Sequence, residues 1–293
     1  ILLNIGNRQG ESGAVRDARI EVVNPQTVQG YVVTEPEYVK KYQKGASVPM
    51  YFYACFDTPF ETTSVAYQDS AWHEGNMIQG SGALMLLNYK TTQGQQIVAK
   101  IGLSYTSVEN ARLNLETEAE NLTFDEAREQ TQDKWREQLG RIRLQGGTQD
   151  SRVKFYTGLY HCLLGRGLAS DVNGAYPRND GTVGQIALDK DGKPVHNHYN
   201  TDAIWGGYWN LTPLWALAYP EYYSDFISSQ LTGPFCHLDT ARCTSIGITA
   251  VYNYCDCFTI CDIISCNCNW CTENQVLCIN CCCITFSFTE NKC

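Results

Sequence analysis

The pattern of apolar and polar positions changes period partway along the chain. Over residues 1 to about 120 it reads as short strands. Met50-Tyr51-Phe52-Tyr53-Ala54-Cys55-Phe56 is an aromatic-rich run stopped by the turn formers Asp57-Thr58-Pro59. Gly82 to Tyr89 is largely apolar and is followed by Thr91-Thr92-Gln93-Gly94. Gln96-Ile97-Val98-Ala99-Lys100-Ile101-Gly102-Leu103 comes next. Two strands around a Gly-containing connection predict a hairpin, and the frequent turns predict a β-sandwich.

A helical period then takes over. Thr123-Phe124-Asp125-Glu126 has the form of a capping box, in which Thr123 and Glu126 satisfy each other's free backbone N–H groups. Phe124, Ala127, Thr131, Trp135 and Leu139 follow at spacings of three and four, which puts them on one helical face. Gly146-Gly147 closes the segment after it. A second helix fits Arg152 to Leu164, with Val153, Tyr156, Leu159, Tyr160 and Leu163 on one face. Asp171-Val172-Asn173-Gly174 and Arg178-Asn179-Asp180-Gly181 read as loops, and Asp189-Lys190-Asp191-Gly192 as a hairpin turn. A third helix is expected near Trp209 to Tyr219, and Pro220 suits the first turn of another. Strands first and helices afterwards predict two domains of different class joined by a helix, an α+β arrangement.

Composition narrows the function classes. A chain of 293 residues holds one large domain or two ordinary ones. A net charge of −9, with no cluster of Lys and Arg, argues against nucleic acid as the main partner. No apolar run reaches the roughly 18 residues of a membrane span. The chain opens on Ile1-Leu2-Leu3-Asn4-Ile5, which reads as the interior of a strand rather than a signal peptide; the expectation is that the beginning is missing.

Several runs, taken in order, resemble glycoside hydrolase family 92, the calcium-dependent exo-acting α-mannosidases. Ile101-Gly102-Leu103-Ser104-Tyr105-Thr106-Ser107-Val108-Glu109-Asn110-Ala111, with Asn114-Leu115 and Glu118, resembles the end of that family's N-terminal β-sandwich. Trp135, Leu139 and Gly146-Gly147 fall at its interdomain helix and the following strand. Phe155-Tyr156-Thr157-Gly158-Leu159-Tyr160-His161 and Asp171-Val172-Asn173-Gly174-Ala175-Tyr176 resemble the first helix and loop of its helical domain. Tyr199-Asn200-Thr201 to Trp205, with Pro213-Leu214 and Pro220-Glu221, extends the likeness, which covers residues 15 to 231.

The resemblance implies a β-sandwich (residues 1–120, its beginning missing), a linker helix and strand (121–147) and the first helices of an (α/α)6 catalytic barrel (148–232). It also implies removal of terminal α-linked mannose from glycans with inversion, a Ca2+ ion holding the sugar diol, and a periplasmic or extracellular location. The chain departs from the family after Trp205. Gly206-Gly207-Tyr208-Trp209 stands where the family has Asp-Thr, an aromatic residue and Arg, and Thr212 replaces the His before Pro213. Losing a carboxylate and a guanidinium removes two directional sugar contacts, which bears on the sugar recognised and not on the fold.

Inverting glycosidases need an acid and a base roughly 6.5–9.5 Å apart. In the family both lie downstream of Leu231, so no catalytic residue is assigned here, and the chain alone is expected to be inactive. Substrate-binding candidates are Trp205, Asp180 and Asn179. Trp205 is either an aromatic platform for a sugar face or a packing Trp. Asn179 and Asp180 line a cleft or simply serve the turn that Asn-Asp-Gly favours. His196 and His198 lack a third metal ligand, and Trp72, His73 and Glu74 are either cleft residues or a loop anchor. Asp189-Lys190-Asp191-Gly192 is not an EF-hand, because Asn200 occupies the acidic twelfth position.

Cysteine divides the chain again. Of fifteen Cys, only Cys55 and Cys162 precede residue 233; thirteen lie between Cys236 and Cys293. Zinc binding has one pair in Cys268 and Cys271 but no clean second pair. A disulfide module cannot pair thirteen Cys internally. Translation in the wrong frame after about residue 232 accounts for the composition and the lost resemblance together, and predicts a tail (233–293) without a defined core. Two rival readings of the whole chain are a carbohydrate-binding sandwich with ancillary helices, and a structural protein binding neither calcium nor sugar.

Overall fold

The computed structural model describes residues 1–10, 13–37, 47–164, 167–178, 180–200, 207 and 209–232, and the backbone of two short strands near the C-terminus. Residue contacts divide the chain into two compact units. The first joins Ile1–Gln138 to Ala169–Pro177 and Gly181–Val195; the second joins Leu139–Leu168 to Arg178–Asp180 and His196–Cys293.

Nine antiparallel strands in two sheets make up most of the first unit. One sheet has the order β1 (Leu2–Asn4), β8 (Ala83–Asn88), β5 (Thr62–Tyr67), β6 (His73–Glu74). The other has the order β7 (Met77–Gln79), β2 (Ala14–Asn24), β3 (Thr27–Glu35), β4 (Val48–Phe56), β9 (Ala99–Ser104). Alternation sets which residues face inward. On β8, Ala83, Met85 and Leu87 are buried while their neighbours are half-buried. They join Val65 of the same sheet and Ala18, Ile20, Val28, Ala54 and Phe56 of the other in one core. A core shared by two antiparallel sheets is the expected sandwich. Later in the chain, β10 (Ala175–Pro177) and β11 (Val183–Gln185) pair with each other as a short hairpin.

Two expectations need correction. The runs around Thr91–Gly94 do not form a hairpin: β8 pairs with β1 and β5, whereas β9 pairs with β4. The connection carries the chain from one sheet to the other. In addition, the stretch read as strand to about residue 120 ends in a helix, α1 (Val108–Glu118), whose N-cap Ser107 accepts the N–H of Asn110 at 3.0 Å. Its buried face is Ala111, Asn114 and Leu115, and the polar member hides the helical period from a hydrophobicity count.

α1 lies against β9 so closely that a Cβ on Gly102 would stand 2.0 Å from the Ala111 carbonyl oxygen and 2.7 Å from Leu115 Cβ. Glycine at this position is what lets helix and sheet meet.

The helices after α1 follow the period read from the sequence. The capping box opens α2 (Phe124–Gly140). The Thr123 N–H donates to Glu126 Oε2 at 2.8 Å, and the Glu126 N–H donates back to Thr123 Oγ1 at 3.3 Å. The apolar face of α2 is not buried, however, and Phe124 is 68% exposed. In the second unit, α3 (Gln149–Leu164), α4 (Leu211–Ala218) and α5 (Pro220–Thr232) surround a core of Leu159, Trp215, Tyr219, Tyr223, Phe226 and Ile227. Pro220 opens α5 as expected. Trp215 donates its indole N–H to the Cys162 carbonyl at 3.1 Å.

In the Cys-rich stretch, β12 (Val276–Ile279) pairs antiparallel with β13 (Cys282–Thr285). The remainder, on which the expectation of a coreless tail falls, lies outside the described residues.

Candidate substrate-binding residues

Of the three substrate-binding candidates, Trp205 and Asn179 lie outside the described residues. Asp180 is exposed, in the turn joining β10 to β11. Gly181, at φ +83°, takes the left-handed conformation this turn requires. The hairpin closes at the pair Pro177 and Val183, so Asp180 stands at its tip.

The base of this hairpin carries a feature that pattern reading passed over as a loop. Asp171 is 4% exposed, yet both of its carboxylate oxygens are engaged. One accepts the hydroxyls of Ser104 at 3.0 Å and Thr106 at 2.5 Å; the other accepts the Asn114 amide at 2.7 Å. Asn114 also receives the Val172 N–H at 3.0 Å and donates to the Leu103 carbonyl at 2.8 Å. Asn173 donates to Asn110 on α1 at 2.9 Å and caps the Ala175 N–H at 3.0 Å.

Each of these donors to the carboxylate is neutral. The signal was available in the runs Ser104-Tyr105-Thr106 and Asp171-Val172-Asn173, but their meeting is a long-range contact that periodicity does not carry.

The other candidates separate. His198 is buried and His196 half-buried; burial, with the charge of His196 adding to it, lowers His198 to about 4. The neighbouring Asn197 is held by Asp225 of α5, whose carboxylate accepts its backbone N–H at 3.1 Å and its side-chain amide at 3.0 Å. Trp72, His73 and Glu74 are all exposed, at and beside the edge strand β6. The Asp189 turn is structural: its carboxylate accepts the N–H groups of Asp191 and Lys193 at 2.8 and 2.9 Å. At the family departure, Thr212 is buried and turns back on the Gly207 carbonyl with its N–H and its hydroxyl, at 2.9 and 3.0 Å. Trp209 is 71% exposed. Among the described residues, no three His, Cys, Asp or Glu gather to hold a metal ion, so they supply no acidic calcium cage. No described helix is long and apolar enough to cross a membrane.

Comparison with known proteins gives two family matches in tandem. The glycosyl hydrolase family 92 N-terminal domain matches residues 1–104, and the family 92 catalytic domain matches residues 110–234. A search of curated proteins gave no match.

Among solved structures, the family 92 α-mannosidase BT3965 from Bacteroides thetaiotaomicron is 22% identical with a TM-score of 0.63. The match covers 74% of this chain and 28% of that one. The same enzyme was solved in complex with mannoimidazole. The family 92 glycosyl hydrolase ccman5 is 21% identical with a TM-score of 0.66, over 78% of this chain and 29% of its own. The family 92 inverting mannosidase BT2199 from B. thetaiotaomicron VPI-5482 is 20% identical with a TM-score of 0.61, again over 78% and 29%. The chain therefore spans under a third of the length of these structures, and the likeness concerns the fold.

Proposed function

The chain belongs to glycosyl hydrolase family 92, and from that premise we propose that it is part of a glycoside hydrolase that removes α-linked mannose from glycans. The observation that carries this reading is the order of the two domain matches along the chain, sandwich first and helices second. Inversion and calcium dependence belong to the proposal: one similar structure is an inverting mannosidase, and calcium is what the family resemblance implies. An (α/α)6 barrel completed by further helices, and a periplasmic or extracellular location, come with it.

In this reading Asp180, Asn179 and Trp205 contact the sugar. A carboxylate and an amide suit neighbouring hydroxyls, and an indole suits the apolar face of a pyranose. The acid and base belong to sequence beyond the matched region, so the chain alone binds glycan without cleaving it. The departure at Gly206-Gly207-Tyr208-Trp209 alters which sugar is preferred.

The test is a calorimetric titration of the chain with mannoimidazole in calcium and again in EDTA, alongside NMR of α-mannobiose incubated with it. The expected result is calcium-dependent binding with no mannose released. Absence of binding in both buffers would remove the glycosidase reading of this chain. Reading the gene past the codon for Leu231 in all three frames tests the origin of the Cys-rich stretch; a family-like helical continuation in another frame is the expected result.

A further inference from the structure

We propose that one side of the sandwich is an open docking edge, formed by β1 and the inner face of β9, and that it takes a further β-strand from residues preceding Ile1 in a longer form of the protein. The inference concerns the first unit alone and stands whether or not the chain binds a sugar.

The two sheets meet at one side and part at the other. β6 runs into β7 through Gly75 and Asn76, so the edge strand of one sheet leads directly into the edge strand of the other. Two bonds hold that side closed: the Val22 N–H donates to the Asn76 carbonyl, and the Tyr67 hydroxyl of β5 donates to the Gln79 carbonyl of β7, both at 2.8 Å. Counted from there, four strands of one sheet stand against five of the other, and β9 is left over at the far side beside the edge strand β1.

The register shows which way these edge residues face. β9 pairs Ile101 with Ala54 and Leu103 with Phe52. Directly opposed residues point to the same face of a sheet, and Ala54 belongs to the core with Phe52 packed on it. Ile101 and Leu103 therefore point inward, yet they are 58% and 54% exposed. Gly102 and Ser104, on the other face, are buried. β1 repeats the pattern. The Ile1 amino group donates to the Leu87 carbonyl at 2.7 Å, and the Leu87 N–H donates back to the Ile1 carbonyl at 2.8 Å. Leu87 is in the core, and Ile1 opposite it is 46% exposed. An isolated exposed apolar side chain is ordinary; three on inward faces at one side of a sandwich mark a surface that something covers.

The backbone of β1 selects a strand as the occupant. Because Ile1 and Leu87 exchange both bonds, the N–H and carbonyl groups of Leu2 and Asn4 point away from β8, to the side where no described strand pairs. The Asn4 carbonyl meets the Gln9 side-chain amide at 3.4 Å, an exposed bond that an added strand would displace. Such a strand takes these groups and carries its own inward side chains over Ile101 and Leu103. Residues ahead of Ile1 are the nearest source, since a hairpin turn of about two to five residues brings them back beside β1. Being tethered, they also meet the edge at a high effective concentration that a second copy lacks. The similar family 92 structures have ample chain for this, because the match covers only 28–29% of their length.

The test compares the chain 1–293 with the same chain extended upstream of Ile1 as the gene's reading frame gives it. Amide exchange at Leu2 and Asn4 is followed in both, with sedimentation to report oligomeric state. The expected result is exchange at least tenfold slower at these two amides in the extended protein, with unchanged rates in α2. Ile101→Thr gives a second readout: it should leave the urea midpoint of the chain 1–293 in place and lower that of the extended protein. Unchanged exchange at Leu2 and Asn4 on extension overturns the proposal, as does a stop codon directly ahead of the codon for Ile1. An Ile101→Thr effect equal in the two proteins overturns the covering of β9. Protection of the same amides in the chain 1–293 that rises with concentration, together with a dimer in sedimentation, assigns the edge to a second copy and overturns it as well.

Discussion

Replacing Gly102 by alanine would drive a methyl group into the backbone of α1. The added carbon would begin 2.0 Å from the Ala111 carbonyl oxygen, 2.7 Å from Leu115 Cβ and 3.0 Å from Leu115 N. Two of these three neighbours are backbone atoms, so no rotamer change relieves the overlap. Restoring a C···O separation of about 3.3 Å from 2.0 Å requires α1 or β9 to move by roughly 1.3 Å. Overpacking of this kind costs about 1–3 kcal/mol. The same displacement pulls Asn114 from the Leu103 carbonyl and from Asp171, bonds of 2.8 and 2.7 Å. Weakening two such bonds, one of them to a charged group, adds about 2 kcal/mol.

The total, about 3–5 kcal/mol, corresponds to a fall in Tm of roughly 10 °C for a protein of this size. Thermal and urea unfolding followed by circular dichroism, with tyrosine fluorescence as a second probe, measures it. A loss below about 1 kcal/mol would refute the claim that close approach of α1, rather than strand geometry, demands glycine at this position.

Three further outcomes are expected. Gly158→Ala, in the interior of α3 with nothing within 4 Å of the new Cβ, should stabilise the chain by roughly 0.5–1 kcal/mol, read as a higher urea midpoint. His198 is lowered in the fold to about 4 from an ordinary 6.5, so the folded state resists its protonation. Its contribution to stability is therefore whole above about pH 6.5 and is lost as the pH falls toward 4; urea midpoints across that range should drop more steeply in the wild type than in His198→Asn. Thr123→Ala should remove the side-chain half of the capping box and fray the start of α2, seen as faster amide exchange at Glu126 and Ala127 with the sandwich unchanged.

Local order was legible where one period ran unbroken. The capping box at Thr123 and Glu126, the helix through Leu159 and the Pro220 start could each be read from a few adjacent residues. The sandwich was legible as a class from its short strands. Pairing was not: Gly82–Tyr89 and Gln96–Leu103 look like the arms of a hairpin because each carries its own apolar run. Only the shared core decides that they belong to opposite sheets. α1 was missed because Asn114 occupies the middle of its buried face, bonded to Leu103 and Asp171 instead of packed against apolar groups. Asp171 was named as part of a motif, but its partners at Ser104 and Thr106 lie 67 and 65 residues earlier in the chain, a distance over which no spacing rule operates. The exposed face of α2 is the converse case: its period was correctly read, and none of its residues is buried.

The same sequence separation has a consequence during synthesis. A chain leaving the ribosome presents Ser104, Thr106 and Asn114 well before Asp171 emerges, so until then β9 and α1 lack the carboxylate that these three side chains share in the fold. Neighbouring strands such as β2 and β3 can pair early, but the first unit reaches its final form only when a segment made after α3 returns to it. An intermediate lacking residues 169–195 is therefore the species that chaperones would meet, and pausing of translation between α3 and Gly174 would lengthen its life.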